Sequence, residues 1–305
     1  MIVAPPLAFT SLSLDPHWNL ALEQGLGGAL KHHPVIFLIW RCRDAVIIGK
    51  NQNPWIECNL PAMQKDGCLF ARRHSGGGAV FHDKGNLNFS FITRPDHFNL
   101  SRQFNVILKI LSGFGLRPQL TDKYAITVNG KKVSGSAFCH RKDFRLHHGT
   151  LLFNANLDRL RRFLLPTLSG VQTHAIPSLH STVVNLRQVV SPSISMKDLR
   201  DELLLGFQEE YGAAASCDLD PDEPLPPFLN AATLTENSHR LAGWEWLHGM
   251  TPSFRASLPL GPRQHVDCQV EHGIIRQVFS ENTRLVRQLE QQRFDFVVER
   301  NLTKT

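Results

Sequence analysis

Apolar and polar positions along the first third of the chain predict a series of short strands. Residues 35–40 and 45–49 are apolar runs bounded by polar or turn residues, which is typical of buried strands. Leu87, Phe89 and Phe91 alternate with polar side chains, and this period of two predicts a half-buried strand.

Helices are indicated by a four-residue apolar spacing and by capping residues. Asp15-Pro16 is typical of a helix start, and leucines and Trp18 then recur at every fourth position as far as Leu30. Ser195 and Asp198 have the spacing of a capping box at the start of another helix. Further short helices are predicted near residues 60–66, 104–111, 156–165 and 283–293.

Turn residues between apolar runs predict two hairpins. Asn129-Gly130 joins residues 124–128 to residues 131–137, and Asn-Gly accepts the positive φ angles of a type I′ turn. A second hairpin is predicted at 265–279. Residues 166–182 show neither period, and a loop of that length in a compact domain is often functional.

The order of these elements predicts an α+β fold with a mixed sheet, because several strands precede or interleave with few helices. The chain has 305 residues, of which 42% are hydrophobic, and this is enough for one large domain and one small domain. An acidic, proline-rich stretch marks the boundary. We therefore expect a large domain at 1–217, a linker at 218–227 and a small α+β domain at 228–305.

Charge is unevenly divided between these parts. The net charge is +6, but residues 1–217 carry 24 Lys and Arg against 15 Asp and Glu, a net charge of +9. Residues 218–305 carry 9 against 12, a net charge of −3. Nine of the cations lie between Lys123 and Arg162. Such a stretch attracts anionic ligands or acidic partners, although a solvated positive surface is an equal alternative.

Several protein classes are excluded or disfavoured by the sequence. The longest apolar run, residues 35–40, is far shorter than the roughly 20 residues that cross a bilayer, so we expect no membrane span. The six cysteines are scattered, which favours reduced thiols in an intracellular protein. We see no secretory signal or transit peptide. RNP-type aromatic stretches and paired zinc ligands are absent, which disfavours a nucleic-acid-binding protein.

A run of three glycines beside two arginines, within residues 72–83, is the first candidate site. Consecutive glycines suit a backbone that approaches a ligand closely or presents its N–H groups to an anion, and arginine binds carboxylate or phosphate. The run matches neither a Walker A loop, a dinucleotide fingerprint nor a nucleophile elbow. A flexible hairpin turn is the alternative interpretation.

Two later segments, each on a predicted strand, add candidate residues. Lys132 leaves the hairpin turn among small residues and could reach a ligand that lies over the strand, although an exposed strand lysine is the common alternative. His147 and His148 point to opposite faces of a strand, so they are poor ligands for a single metal ion. Cys139 and Cys58 are candidate nucleophiles, or simply small buried apolar residues.

Taken together, the segments resemble the lipoate–protein ligase A family, and the resemblance covers roughly residues 10–280. The matching motifs are Arg-Arg-x-Ser-Gly-Gly-Gly-Ala-Val-Phe-His-Asp at 72–83, Lys-Val-Ser-Gly-Ser-Ala at 132–137 and His-His-Gly-Thr-Leu-Leu at 147–152. Asn-Gln-Asn-Pro-Trp-x-Glu-Cys-Asn-Leu at 51–60 looks closer to mitochondrial lipoyltransferases. The resemblance implies a large mixed-sheet catalytic domain of the biotin/lipoate ligase type with an accessory domain.

The activity that the resemblance implies is protein lipoylation through lipoyl-AMP. The acceptors would be lysines of apo lipoyl domains in 2-oxo-acid dehydrogenase acyltransferases and in the glycine-cleavage H protein. We expect transfer from lipoyl-AMP. A full ligase that also uses ATP and Mg²⁺, a carrier-to-carrier amidotransferase working through Cys139, and a non-catalytic nucleotide- or RNA-binding module remain alternatives.

The resemblance also assigns residues to the site, with Lys132 as the catalytic residue. The residues assigned to lipoyl-AMP are Arg73, Ser75, Gly76, Gly77, Gly78, Ala79, Val80, Phe81, Lys132 and Thr150. A second set is assigned less directly: His82, Asn86, Ser134, Gly135, His147, Leu179 and Ser181. No metal ligand is assigned. Val80, Phe81 and Phe89 are candidates for an apolar slot that receives the lipoyl chain.

One position departs from the family pattern. Members carry a polar or basic residue followed by Asp before the catalytic lysine, whereas this chain has Lys123 followed by Tyr124. This departure is the reason why we expect acyl transfer rather than activation by ATP. The protein is expected to be a monomer in the mitochondrial matrix, with the cytoplasm as the alternative.

Overall fold

The computed structural model describes residues 4–166, 168–212, 216–261 and 264–302. In chain order, its strands are β1 (Leu7–Ser11), β2 (Val35–Trp40), β3 (Ala45–Ile48), β4 (Leu69–Arg72), β5 (Val80–His82), β6 (Asn86–Thr93), β7 (Pro118–Leu120), β8 (Ala125–Val128), β9 (Lys131–His140), β10 (Arg145–Leu152), β11 (Gln172–Thr173), β12 (Ser216–Leu219), β13 (Phe254–Gly261), β14 (Gln264–Glu271) and β15 (Ile274–Phe279). Its α-helices are α1 (Pro16–Gly25), α2 (Leu60–Lys65), α3 (Leu100–Gly113), α4 (Leu157–Phe163), α5 (Met196–Tyr211), α6 (Ala231–Ala242), α7 (Thr283–Leu289) and α8 (Phe294–Leu302). In the described parts of the chain, no helix combines the length and apolar character needed to cross a membrane.

Contacts divide the chain into two compact units. Unit 1 contains Met1–Ala45, His82–Leu157 and His180–His239. Unit 2 contains Val46–Phe81, Asp158–Leu179 and Arg240–Thr305.

Unit 1 is built around a mixed sheet whose strands lie in the order β12-β1-β2-β6-β10-β9-β8-β7. Strand β1 runs parallel to β2 and to β12, and the other neighbours are antiparallel. Helix α1 and the 3₁₀ turn Leu26–Lys31 form the crossover that parallel pairing of β1 and β2 requires. The predicted α+β fold with a large mixed sheet is confirmed.

The core of unit 1 packs helices α3 and α5 against one face of this sheet. Phe37 stacks on Phe207 of α5 with ring centroids 4.9 Å apart, and Phe37 and Phe91 are 4.7 Å apart. Strand β6 differs from its prediction, because Asn88 and Ser90 are as buried as the phenylalanines between them. Polar side chains therefore lie inside unit 1 on the face opposite this core.

Local capping and turn signals produce the predicted elements of unit 1. The Asp15 carboxylate accepts hydrogen bonds from the N–H groups of His17 and Trp18 at the start of α1. Ser195 and Asp198 form the predicted capping box of α5. Asn129 and Gly130 have φ angles of 51° and 73°, so the β8–β9 hairpin has the type I′ turn that its sequence predicts.

Unit 2 contains a four-stranded sheet, β11-β13-β14-β15, and a three-stranded sheet, β4-β3-β5. Strands β14 and β15 form the hairpin predicted at 265–279, and β13 pairs with β14 as a further antiparallel strand. Trp55 packs against Phe254 of β13 and Phe294 of α8, with ring centroids 5.2 Å and 4.9 Å apart. The predicted small α+β domain is thus confirmed as an antiparallel sheet, which the short helices α7 and α8 follow in the chain.

These contacts differ from the predicted boundaries in two respects. Asp218 and Leu219, assigned to the linker, belong to strand β12 of the large sheet. Residues 46–81 and 158–179 group with the C-terminal part of the chain in unit 2. The reason is apolar packing at long sequence separation, such as that of Trp55 on Phe294, which the linear composition of the chain does not indicate.

Candidate functional site

The glycine run forms a loop, residues 75–79, between strands β4 and β5 of unit 2; we call it the glycine loop. The fold requires glycine at two of its three glycine positions. Gly77 has a φ of 85°, which favours glycine. At Gly78 a Cβ would lie 2.9 Å from Ser178 Oγ. At Gly76 a Cβ would meet no atom within 4 Å, so the fold itself does not require glycine there.

Arg73 is buried beneath the glycine loop and binds the loop's own backbone. Its Nη2 donates to the carbonyl oxygens of Gly76 at 2.7 Å and Gly78 at 2.8 Å. Its Nε donates to Ser75 Oγ at 2.9 Å, and Nη1 donates to the carbonyl oxygen of Ile47 at 3.0 Å. Arg73 therefore shapes the loop, whereas the resemblance assigns it to the lipoyl-AMP molecule.

The direction of these carbonyl groups fixes the direction of the loop's N–H groups. In a trans peptide group the C=O and N–H bonds point in opposite directions. Since the carbonyls of Gly76 and Gly78 point to Arg73, the N–H groups of Gly77 and Ala79 point away from it. Among the described residues, Gly77 N–H meets no hydrogen-bond acceptor, so it is available to an anionic ligand.

Arg72 is fully buried and anchors the segments on either side of the loop. Its guanidinium donates to the carbonyl oxygens of Lys50 at 2.9 Å and Gln52 at 2.8 Å. It also donates to the carbonyl oxygen of Leu247 at 2.7 Å and to Thr251 Oγ1 at 2.9 Å. Burial lowers the pKa of Arg72 to about 10, so the side chain remains charged at neutral pH.

A second buried network holds the other side of the glycine loop, and the sequence analysis did not assign it to the site. Ser178 Oγ donates to the Glu57 carboxylate and accepts from Ala79 N–H at 2.8 Å and from Gln52 Nε2 at 3.1 Å. Gln52 Oε1 in turn accepts from Gly49 N–H at 2.9 Å. Gln52 and Glu57 belong to the motif at 51–60, so the motif itself was the available signal.

The structure places the three candidates for the apolar slot, Val80, Phe81 and Phe89, in different surroundings. Phe81 is buried in a core of unit 2, where its ring centroid lies 5.5 Å from that of Phe163. Phe89 lies in the core of unit 1, where its ring meets His147 edge to face at 5.5 Å. Both rings are therefore used in packing, and they belong to different cores; Val80 is half-buried at the start of β5.

Lys132 lies near the start of β9 in unit 1, where its backbone is fixed by residues 182–184. Its N–H donates to the carbonyl oxygen of Thr182 at 2.9 Å, and its own carbonyl accepts from Val184 N–H at 3.0 Å. The Lys132 ammonium lies 2.9 Å from the point that a Cβ on Gly135 would occupy. A side chain at residue 135 would therefore displace the lysine ammonium from this position.

Thr150 extends this group on the neighbouring strand β10. Its hydroxyl accepts from Gly135 N–H at 3.3 Å, so the structure brings Lys132, Gly135 and Thr150 together in unit 1. His148 lies two residues before Thr150 and therefore on the same face of β10, whereas His147 lies on the opposite face.

His147 is a core residue, contrary to its assignment to lipoyl-AMP. It is fully buried among phenylalanines, with Phe104 4.7 Å and Phe138 4.9 Å away between ring centroids. Burial lowers its pKa to about 3, so the ring is neutral. Its Nδ1 donates to Gln103 Oε1 at 3.0 Å, and its Nε2 accepts from Ser136 Oγ at 3.1 Å.

The face of β10 that carries Thr150 contains a buried polar network instead, which the sequence analysis missed. His148 Nδ1 lies 2.9 Å and 3.1 Å from the two carboxylate oxygens of Glu23 on α1. Ser90 of β6 donates to the same carboxylate and accepts from Trp40 Nε1 at 3.3 Å. The helix pattern around Glu23 offered no signal for this network, since its other members lie on the three strands β2, β6 and β10.

The remaining assigned residues are scattered around these groups. In unit 1, His82 Nδ1 lies 3.8 Å from Cys42 Sγ, and Asn86 Nδ2 donates to Asn88 Oδ1 at 2.9 Å. Ser134 is buried, and its hydroxyl meets no partner among the described residues. Ser181 is exposed on unit 1, and Leu179 of unit 2 is 63% exposed, so the described contacts give neither residue a defined role.

Tyr124, at the position where the family carries Asp, has a left-handed backbone with a φ of 58°. Its ring stacks on Phe104 at 6.1 Å and meets Phe138 edge to face at 5.1 Å. The side chain is therefore used in packing, and it supplies no carboxylate at this turn.

Neither a metal centre nor a reactive Cys58 thiol is indicated in the described residues. In the described ranges no group of three or more His, Cys, Asp or Glu side chains is arranged to hold a metal ion. Cys58 is buried, and burial together with nearby Glu57 raises the pKa of its thiol well above the ordinary value. A thiol held protonated is a poor nucleophile, which argues against Cys58 in that role.

Comparison with known proteins places these features in one family. A model of the lipoyl protein ligase A/B catalytic domain matches residues 15–208. The chain is 35% identical over 263 residues to a lipoate–protein ligase A from Psychrobacter cryohalolentis, covering 86% of this chain and 75% of that protein.

Solved structures show the same relationship. The crystal structure of P. falciparum LipL1 in complex with lipoate has a TM-score of 0.68 and 29% identity, covering 94% of this chain and 90% of that chain. A lipoate–protein ligase A crystallised with ATP has a TM-score of 0.59 and 23% identity over 79% of this chain and 94% of that one, a likeness of fold alone. The chain belongs to the lipoate–protein ligase A family, whose enzymes act in protein lipoylation.

Proposed function

We propose that this enzyme transfers the lipoyl group from lipoyl-AMP to a lysine of an apo lipoyl domain. The observation that carries the proposal is the group formed by Lys132, Gly135 and Thr150, in which a cation lies over a glycine beside a fixed hydroxyl. The bound lipoate of the P. falciparum relative supports lipoyl as the acyl group.

The chemistry needs a fixed positive charge more than it needs an enzyme nucleophile. The acceptor amine attacks the acyl carbon, the bond from that carbon to the phosphate oxygen breaks, and AMP leaves with the electron pair. The amine loses a proton as the amide forms. Lys132 would stabilise the negative charge that grows on the carbonyl oxygen and on the departing phosphate.

The glycine loop of unit 2 offers a complementary property. Gly77 N–H is directed away from Arg73 and is available to a phosphate or carbonyl oxygen. The space beside Gly76 is open, which supports a close approach of ligand to backbone there. These two residues are the strongest binding candidates in the loop.

Transfer without prior activation is supported by Tyr124. Activation of lipoate by ATP depends on Mg²⁺, which prefers carboxylate and water oxygens. Tyr124 offers a phenol in place of the family's carboxylate, and its ring is packed between Phe104 and Phe138. This position does not fit a magnesium ligand.

A full ligase is the second candidate, because a lipoate–protein ligase A of the same fold has been crystallised with ATP. Lipoate-dependent exchange of labelled pyrophosphate into ATP distinguishes the two, since only an enzyme that forms the adenylate catalyses the exchange. We expect no exchange. Exchange that requires lipoate would favour the full ligase.

The acceptor is expected to be an acidic domain surface. Lys123, Lys131, Arg141 and Lys142 are exposed on unit 1, around the β8–β9 hairpin and the β9–β10 turn. Opposite charge on the partner raises the association rate and makes it sensitive to salt. Several lipoyl-domain acceptors differing in surface charge should therefore react at rates that converge as ionic strength rises.

The direct experiment compares two donors in parallel. Purified enzyme and an apo lipoyl domain are incubated with lipoyl-AMP, or with lipoate and Mg-ATP, and the acceptor is followed by intact mass spectrometry. We expect modification with lipoyl-AMP and none with lipoate and Mg-ATP. No modification with lipoyl-AMP would refute the transfer activity.

A further inference from the structure

The Gly78–Ala79 peptide group in the glycine loop is held at both of its polar ends. Its carbonyl oxygen accepts from Arg73 Nη2 at 2.8 Å, and its N–H donates to Ser178 Oγ at 2.8 Å. The two contacts come from opposite sides, as the geometry of a trans peptide requires. By contrast, the Gly76–Gly77 peptide group is held at its carbonyl end, and its N–H meets no acceptor among the described residues.

Glu57 determines which way the Ser178 hydroxyl points. The Ser178 O–H donates to the Glu57 side chain, and this hydrogen bond fixes the rotation of the hydroxyl. Its lone pairs then face Ala79 N–H and Gln52 Nε2. Glu57 Oε1 also accepts from Ser178 N–H at 3.2 Å, so both oxygens of the buried carboxylate contact one residue.

The segment around Ser178 is joined to the loop closely enough to leave no room for a side chain between them. A Cβ on Gly78 would lie 3.2 Å from Ser178 Cα. Gln52 Nε2 and Asn51 bind the same segment, through the carbonyl oxygen of Ile176 at 3.3 Å and the N–H of Ile176 at 3.2 Å. On either side, Ile176 and Leu179 are largely exposed, so the segment is held by polar contacts more than by an apolar core.

We propose that Glu57 and Ser178 are positioning residues for acyl transfer: they clamp the Gly78–Ala79 peptide group so that Gly77 N–H keeps the direction needed to meet the acyl phosphate. This inference rests on the proposed function and extends it to residues that do not touch the reacting atoms. Without the clamp, the Gly78–Ala79 peptide group can rotate. The backbone of Gly77 and Gly78 next to it is then less restrained, so Gly77 N–H is no longer preorganised as a donor.

The test uses Ser178→Ala and the milder Glu57→Gln in the full chain, with Ser169→Ala and Glu281→Gln as matched controls at exposed positions of unit 2. The first readout is hydrogen exchange of the Ala79 amide by NMR without substrate. The second is kcat and KM for lipoyl-AMP with an apo lipoyl domain. The third is the fraction of lipoyl-AMP lost to water.

We expect Ala79 exchange to accelerate in Ser178→Ala, and kcat/KM to fall by about 10- to 100-fold, mainly through KM and with more adenylate lost to water. Glu57→Gln should show the same pattern more weakly, and the double variant should resemble Ser178→Ala because the two residues act through one contact. The controls should stay within about twofold of wild type.

The outcomes separate this inference from the proposed function. A wild-type enzyme that transfers no lipoyl group refutes the function, whatever the exchange data show. A wild type that transfers, together with a folded Ser178→Ala enzyme whose Ala79 exchange and KM are unchanged, overturns the clamp. Equal losses in kcat alone across the variants would also overturn it, since a clamp on the binding loop must affect KM.

Discussion

The glycine loop and the β8–β9 hairpin carry the two groups of candidate residues, and they reach their conformations in different ways. The hairpin is set by neighbours in sequence, because Asn129 and Gly130 take the positive φ angles that its turn requires. The glycine loop also needs a distant side chain besides the nearby Arg73, since Ser178 is 99 residues from the Ala79 N–H that it accepts from.

The difference lies in what each region must do. A lysine needs only a strand to project from, with a glycine to cross, as Lys132 and Gly135 show. A loop that offers backbone N–H groups needs its own carbonyls held elsewhere, and Arg73 and Ser178 supply this from two sides. The binding loop therefore depends on residues that themselves make no contact with the ligand in our account.

The largest effect is expected from removing the anchor of the loop region. Arg72→Met would leave several backbone carbonyls and Thr251 without their donor inside unit 2. We expect the free energy of unfolding to fall by about 3–5 kcal/mol, as for other buried charged hydrogen-bonding groups. Urea denaturation measures it, with Arg287→Met at an exposed position as the control. A loss no greater than the control's would mean that the loop region does not depend on this anchor.

The next largest effect concerns the hairpin. Lys132→Ala removes the fixed cation, and we expect kcat for lipoyl transfer to fall by about 10²–10³-fold, the usual loss for one electrostatic donor to a developing charge. Stability should change little, because the side chain is only half-buried. The matched control is Lys31→Ala, at an exposed position of unit 1 that lies outside the basic group around the hairpin. Full activity in Lys132→Ala would remove the lysine from the mechanism.

The strands that support the hairpin should show a pH dependence that the loop lacks. His147 is neutral in the fold, with a pKa lowered to about 3, while the unfolded chain binds a proton near pH 6.5. Its contribution is fully present above pH 6.5 and is lost as the pH falls toward 3, by about 2 kcal/mol between pH 6.5 and 5. Urea denaturation of wild type and His147→Gln across this range checks it. The variant should have a flatter profile, and parallel profiles would contradict the assignment.

The smallest stability effect distinguishes two glycines within the loop. Gly77→Ala forces a side chain into left-handed backbone and should cost about 1–2 kcal/mol. Gly76→Ala meets open space, so it should leave stability unchanged while raising KM for lipoyl-AMP. Thermal unfolding and steady-state kinetics on both variants measure this. A destabilised Gly76→Ala, or one with an unchanged KM, would show that the open space is not used by the ligand.

Elements that are set by neighbours in sequence could be predicted, whereas features that depend on distant residues could not. Caps, turns and apolar periods acted within a few residues, so α1, α5 and the β8–β9 hairpin were predicted from Asp15, Ser195 and Asn129-Gly130. The burial of β6 was underestimated because its polar face is covered by residues from α1 and β2, such as Glu23 and Trp40.

For the site, motifs identified the residues but not always their contacts. Lys132, Gly135 and Thr150 were each named from a motif, and the structure brings them together. Of the two adjacent histidines, His147 was assigned to the site and His148 was not. Strand alternation directs His147 into the core and His148 toward Glu23. The contact of Ser178 with the glycine loop lay outside any local pattern, because a hydrogen bond across 99 residues depends on the tertiary fold.

The most direct test of the account is the mass of an apo lipoyl domain after incubation with the enzyme and lipoyl-AMP as the sole acyl donor. We predict a mass increase of one lipoyl group on the acceptor lysine with the wild-type enzyme, and a rate lower by about two orders of magnitude or more with Lys132→Ala. An unmodified acceptor, or equal rates with the two enzymes, would contradict the account.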